Sequence, residues 1–78
     1  MRKDGDIMKL DRNKMILAIA RKAVSIRDLA KLSGLSESAI ASFKSGRREP
    51  TPKSIGKLAI ALDVDVTELL VDEDTKKE

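Results

Sequence analysis

The residues able to do chemistry gather in the middle of this 78-residue chain, between Ser25 and Lys53. There the run ESAIASFK (37–44) sets Glu37, Ser38, Ala41 and Ser42 where a surface helix ordinarily carries Lys and Glu. The run RREPTPK (47–53) follows, with three cations in seven residues. Such a set can hydrogen-bond and neutralise charge, but it makes poor catalytic machinery. The chain has no His and no Cys, so it lacks the commonest general base, the commonest metal ligand and any thiolate. Hydrolysis by carboxylates would need two acids in one pocket, and the acids here fall at helix starts and in the tails. No enzyme, no metal site and no cofactor are expected.

Charge points to the kind of partner. The net charge is only +3, but residues 1–53 hold 13 Lys/Arg against 6 Asp/Glu, while residues 54–78 hold 3 against 7. A basic front and an acidic end suit a polyanion on one surface; an unevenly solvated surface is the plainer alternative. No apolar run approaches the ~18 residues of a membrane span. Asp4, Gly5 and Asp6 follow Arg2 and Lys3 in place of an apolar signal-peptide segment. The expected location is therefore the cytoplasm.

The elements that must position these residues are all helical. Asp11 can cap a first helix whose apolar positions Met15, Ile16, Ile19, Ala20 and Ala23 share a face, with Arg21 and Lys22 at its cation-favouring end. Ser25 and Asp28 form a capping-box-like pair opening a second helix, with Ile26, Leu29, Ala30 and Leu32 inward, and Gly34 ends it. Ser36 caps a third helix, 37–44, buried through Ala39, Ile40 and Phe43 and stopped by Gly46. Thr51 and Pro52 start a fourth, carrying Ile55, Leu58, Ala59 and Leu62. Asp65 and Glu68 open a short fifth with Leu69 and Leu70. The expectation is a compact all-α domain of five helices over 10–71, between a flexible N-terminal arm (1–9) and a disordered charged tail (72–78). Met8 offers a second start site, which would make 1–7 dispensable; the alternative is an arm whose Arg2 and Lys3 reach a minor groove.

Two capped helices joined by a tight glycine turn form a helix-turn-helix arrangement. From Leu10 to Val71 the chain resembles the phage-repressor-like (lambda repressor and Cro type) helix-turn-helix family of DNA-binding domains. The resemblance rests on Ser25–Leu29–Ala30, Gly34–Leu35–Ser36, Ile40, Gly46, Pro50, Leu58–Ala59–Ala61–Leu62 and the ending DVDVTELL, each in the family's order and spacing.

The resemblance implies a sequence-specific double-stranded DNA-binding regulator, most simply a repressor, acting as a homodimer on half-sites about one helical turn apart. It makes 37–44 the recognition helix. Short side chains would let that helix sit deep in a major groove about 12 Å wide. Glu37, Ser38 and Ser42 fall where family members carry base-contacting residues, and Ala41 shares their face. Serine reads bases weakly, Ala41 can touch a thymine methyl, and Glu37 can accept from cytosine N4. Glu37 is also what any helix favours in its first turn. Backbone contacts are expected from Ser25 and Ile26 at the second helix's N-terminus, and from Lys44, Ser45, Arg47, Arg48 and Lys53. The chain departs from many members in having Ile26 in place of Gln, and Ile19 and Lys44 in place of an Arg–Glu pair. Removing only one partner would leave an unpaired charge; with both changed, Ile19 joins the apolar core and Lys44 is free to point at a phosphate. Val66, Leu69, Leu70 and Val71 are either a dimer surface or core. A protein-interaction module of the same fold, such as an antitoxin or anti-regulator, is the alternative.

Overall fold

A computed structural model describes residues 9–71; the flexible-arm and tail assignments for 1–8 and 72–78 lie outside the described residues. Four α-helices, α1 (Arg12–Lys22), α2 (Ile26–Ser33), α3 (Glu37–Ser45) and α4 (Pro52–Leu62), precede a 3-10 helix at Val66–Leu69. The fifth helix is thus a single 3-10 turn. Its Asp65–Glu68 box forms as expected, but four residues are too few to set up an α-helical ladder.

Each helix begins where a side chain can take an orphaned amide. Asp11 accepts from the amides of Asn13 and Lys14, Ser36 from Ala39 and Thr51 from Ser54. Ser25 and Asp28 close a reciprocal capping box. The ends are left-handed. Gly34 (φ 80°) and Gly46 (φ 84°) end α2 and α3, and two residues that do carry a Cβ, Ala23 (φ 58°) and Asp63 (φ 59°), end α1 and α4. At those two ends the next residue donates back into the helix, Val24 to Ile19 and Val64 to Ala59. Both valines pack on the core, the apolar contact that accompanies such closures.

The core is aliphatic: Met15, Leu29, Ile40, Leu58 and Leu69 are fully buried, around Phe43. α2 packs on α3 and α4, and α1 crosses α3, α4 and the 3-10 helix. On α1 the buried residues are Met15 and Ala18, with Ile19 packed beside them. Ile16, Ala20 and Ala23, expected inward, are exposed, as is Leu32 on α2. The run MILAIA (15–20) is apolar around nearly the whole helix circumference, so its pattern alone does not select a face.

The two ends of the described chain are fastened together. Leu10 and Leu70 pair as an antiparallel bridge, with Asp11 N–H donating to Leu69 (2.8 Å) and Val71 N–H to Lys9 (2.9 Å). Lys14 Nζ donates to the Leu70 carbonyl at 2.8 Å, and Arg21 pairs with Glu68 at 3.4 Å on the surface. Leu69 is wholly core, so of the four residues named for a dimer surface Val66 and Leu69 serve the interior, while Val71 is 37 % exposed.

Candidate nucleic-acid interface

α3 presents the site. Its inner side, Ile40 and Phe43, is buried, which fixes the roll of the helix. Glu37, Ser38 and Ala41 are exposed and Ser42 is half-buried, so the expected base-reading set shares the outer surface. Ser38, Ala41, Ser42, Ser45 and Arg47 line one cleft of about 280 Å³. Ile16, Ile26, Ala41, Lys44 and Ser45 line a second of about 320 Å³. Ala41 and Ser45 form the ridge between them.

The helix end then aims the cations. With Gly46 left-handed, the amides of Arg47 and Arg48 both reach the Ser42 carbonyl, at 2.9 and 3.2 Å, which turns the chain sharply out of α3. The Arg48 guanidinium lies 5.5 Å from the centroid of the Phe43 ring, a cation–π arrangement that orders it. Lys44 is exposed, as a phosphate-seeking side chain requires, and Ile19 joins the core. Lys53 is exposed in the first turn of α4, a position where the helix dipole disfavours a cation and where α4 carries no acid.

Two details temper the anchoring set. The capping box engages the Ser25 amide with the Asp28 carboxylate at 3.3 Å. The Ile26 amide, at the first helical position, therefore remains for an anion, beside the negative Asp28. The Ser45 hydroxyl donates to the Ser42 carbonyl at 3.2 Å and accepts from Arg47 N–H at 3.4 Å, so it closes the helix end and is already engaged.

Sequence reasoning missed two residues that shape this surface. Arg12, at the start of α1, donates to the Ser45 carbonyl at 3.2 Å and so places a positive charge at the C-terminus of α3. Glu49, the acid within the basic loop, accepts from the Leu10 amide at 2.9 Å. That contact ties the loop to the bridged chain ends and commits its carboxylate there. Neither pairing leaves a local signal, because the partners are 33 and 39 residues apart.

Comparison with known proteins agrees with this geometry. A model of a helix-turn-helix family matches residues 17–69. The restriction-modification controller protein C.AhdI from Aeromonas hydrophila superposes with a TM-score of 0.72 at 34 % identity, over 76 % of this chain and 89 % of that one. A hypothetical transcription factor, NHTF, from Neisseria gives 0.73 at 26 % identity, over 85 % and 76 %. The N-terminal DNA-binding domain of SinR from Bacillus subtilis shares the fold, at 0.72 and 24 % identity over 80 % and 91 %. No curated protein matches the chain. The family match runs from the middle of α1 to the final 3-10 turn, and takes in the capped α2–Gly34–α3 unit that carries the candidate interface: the chain belongs to the helix-turn-helix family of the phage-repressor type.

Proposed function

We propose that this protein is a transcriptional regulator that binds double-stranded DNA, acting as a repressor, with α3 in the major groove. The observation that carries the reading is the outer face of α3. Glu37, Ser38, Ala41 and Ser42 serve no core role, and the face is continuous with Arg47 and flanked by Lys44. Short side chains permit close approach to base edges, and the cations around them suit the phosphates that border a groove. Phosphate contacts are assigned to Lys44, Arg47, Arg48 and Lys53, with the Ile26 amide at the dipole-positive end of α2. One such helix reads few base pairs, so a homodimer on a two-fold site is the functional unit. Leu70 and Val71 remain from the expected dimer surface, and Ile60, 81 % exposed on α4, is an apolar residue without an internal role.

The test is selection from a random duplex pool followed by titration at several salt concentrations. Enrichment of a palindromic site, abolished by Arg47→Glu and relaxed by Ser42→Ala, is the expected result. Binding with no enriched sequence would refute sequence reading by α3, and indifference of a protein partner to the Arg47→Glu change would favour an interaction module.

A further inference from the structure

The second cleft beside α3 has a chemistry that hydrogen-bonding readout does not use. It is lined by Ile16 from α1, Ile26 from α2, and Ala41, Lys44 and Ser45 from α3. Ile16 is 41 % exposed and stands outside the core cluster, so its apolar surface faces water without contributing to the interior. Ile26 is half-buried at the first position of α2, where the resemblance places a glutamine in many members. Around this opening, Ile16, Ile26 and Ala41 bring no side-chain donor or acceptor.

The cleft shares Ala41 and Ser45 with the base-facing ridge, so a helix seated in a major groove brings this opening to the same groove. Among the groups that a major groove displays, the 5-methyl of thymine is the apolar one; the others are hydrogen-bond donors and acceptors. Lys44, exposed beside the cleft, suits the phosphate on the edge of that groove. Resting on the DNA-binding reading above, we propose that the Ile16–Ile26–Ala41 cleft receives a thymine 5-methyl group, which makes Ile16 and Ile26 specificity-determining residues. The thymine is recognised by burying its methyl, and the cleft is indifferent to the hydrogen-bonding edge of the pair.

The experiment uses the full chain and the site enriched from an unmodified duplex pool. Each thymine is replaced in turn by deoxyuridine, which removes the methyl and leaves every hydrogen bond. Burial of one methyl-sized group corresponds to about a fourfold change in affinity. One thymine per half-site is therefore expected to lose about fourfold on conversion to uracil in the unaltered protein. That loss is expected to vanish in Ile16→Ser and in Ile26→Gln, with other positions unchanged. Ile26 packs partly on the core and Ile16 does not, so Ile16→Ser keeps the test decisive if Ile26→Gln fails to fold. Uniform affinity for uracil and thymine at every position, or a methyl effect that survives both substitutions, overturns the proposal. A selected site without methyl sensitivity removes this assignment alone, whereas failure to select any site removes the DNA-reading assignment and this one with it.

Discussion

Gly34 and Gly46 adopt nearly the same backbone conformation, φ 80° and 84°, but their surroundings differ. A Cβ on Gly34 would meet nothing within 4 Å, whereas one on Gly46 would run into the Arg12 guanidinium. Alanine at either site carries the left-handed penalty of about 1 kcal/mol. For Gly34→Ala that is the whole expected cost, equivalent to a fall of about 4–8 °C in Tm for a domain of this size. Gly46→Ala also displaces Arg12. The arginine is flexible and swings clear, but it loses its hydrogen bond to the Ser45 carbonyl and its charge at the end of α3, a further ~1 kcal/mol. Gly46→Ala is therefore expected to cost about 2 kcal/mol in the unaltered background and about 1 kcal/mol once Arg12→Ala has removed the partner. With no Trp or Tyr in the chain, urea unfolding followed by far-UV circular dichroism is the suitable assay. Equal costs for Gly46→Ala in both backgrounds would refute the coupling, and a neutral Gly34→Ala would refute the left-handed argument itself.

Other consequences can be measured directly. Ala23 closes α1 in the left-handed region with a Cβ, so Ala23→Gly is expected to raise stability by about 0.5–1 kcal/mol, read as a higher urea midpoint. Hydrogen bonds from the Thr67 hydroxyl and amide hold the Asp65 carboxyl below its ordinary value of 3.8. The stability it contributes is present above that pH and is lost as the pH falls through the lowered value; in Asp65→Ala this part of the acid limb is expected to disappear from Tm measured against pH. If Lys44, Arg47, Arg48 and Lys53 each displace one counterion, log K against log salt should have a slope of about −3.6 per subunit. Arg47→Ala should make it shallower by about 0.9, and an unchanged slope would remove Arg47 from the phosphate contacts.

What could be read in the sequence was mostly local. Asp11, Ser25, Ser36, Thr51 and Asp65 were legible as caps because an oxygen two or three bonds from the backbone can reach an amide two or three residues on, whatever the rest of the chain does. Gly34 and Gly46 were legible as helix ends because glycine, lacking a Cβ, takes left-handed backbone freely. Asp63 and Val64 were legible as the turn after α4, since Asp tolerates left-handed backbone, whereas Ala23 adopts the same conformation and gave no sign of it, because its closure depends on Val24 finding the core. The face of α1 was misread because six consecutive apolar residues fit several rolls of the helix, and packing against α3, α4 and the 3-10 turn decided among them. At the candidate interface, the roll of α3 followed from Ile40 and Phe43. The Arg12 clamp, the Glu49 contact with Leu10 and the apolar cleft of Ile16 and Ile26 each join residues that only the folded chain brings together.

The Leu10–Leu70 bridge leaves the described residues, 9–71, almost a ring. Residues 9 and 71 share a backbone hydrogen bond, so a peptide linker of a few residues could join them covalently without moving a helix. Bringing together the ends of a loop about sixty residues long costs the free chain about 4 kcal/mol of entropy. A cyclised protein would be relieved of most of that cost on folding. Joined in that way, residues 9–71 would also offer an exopeptidase no terminus.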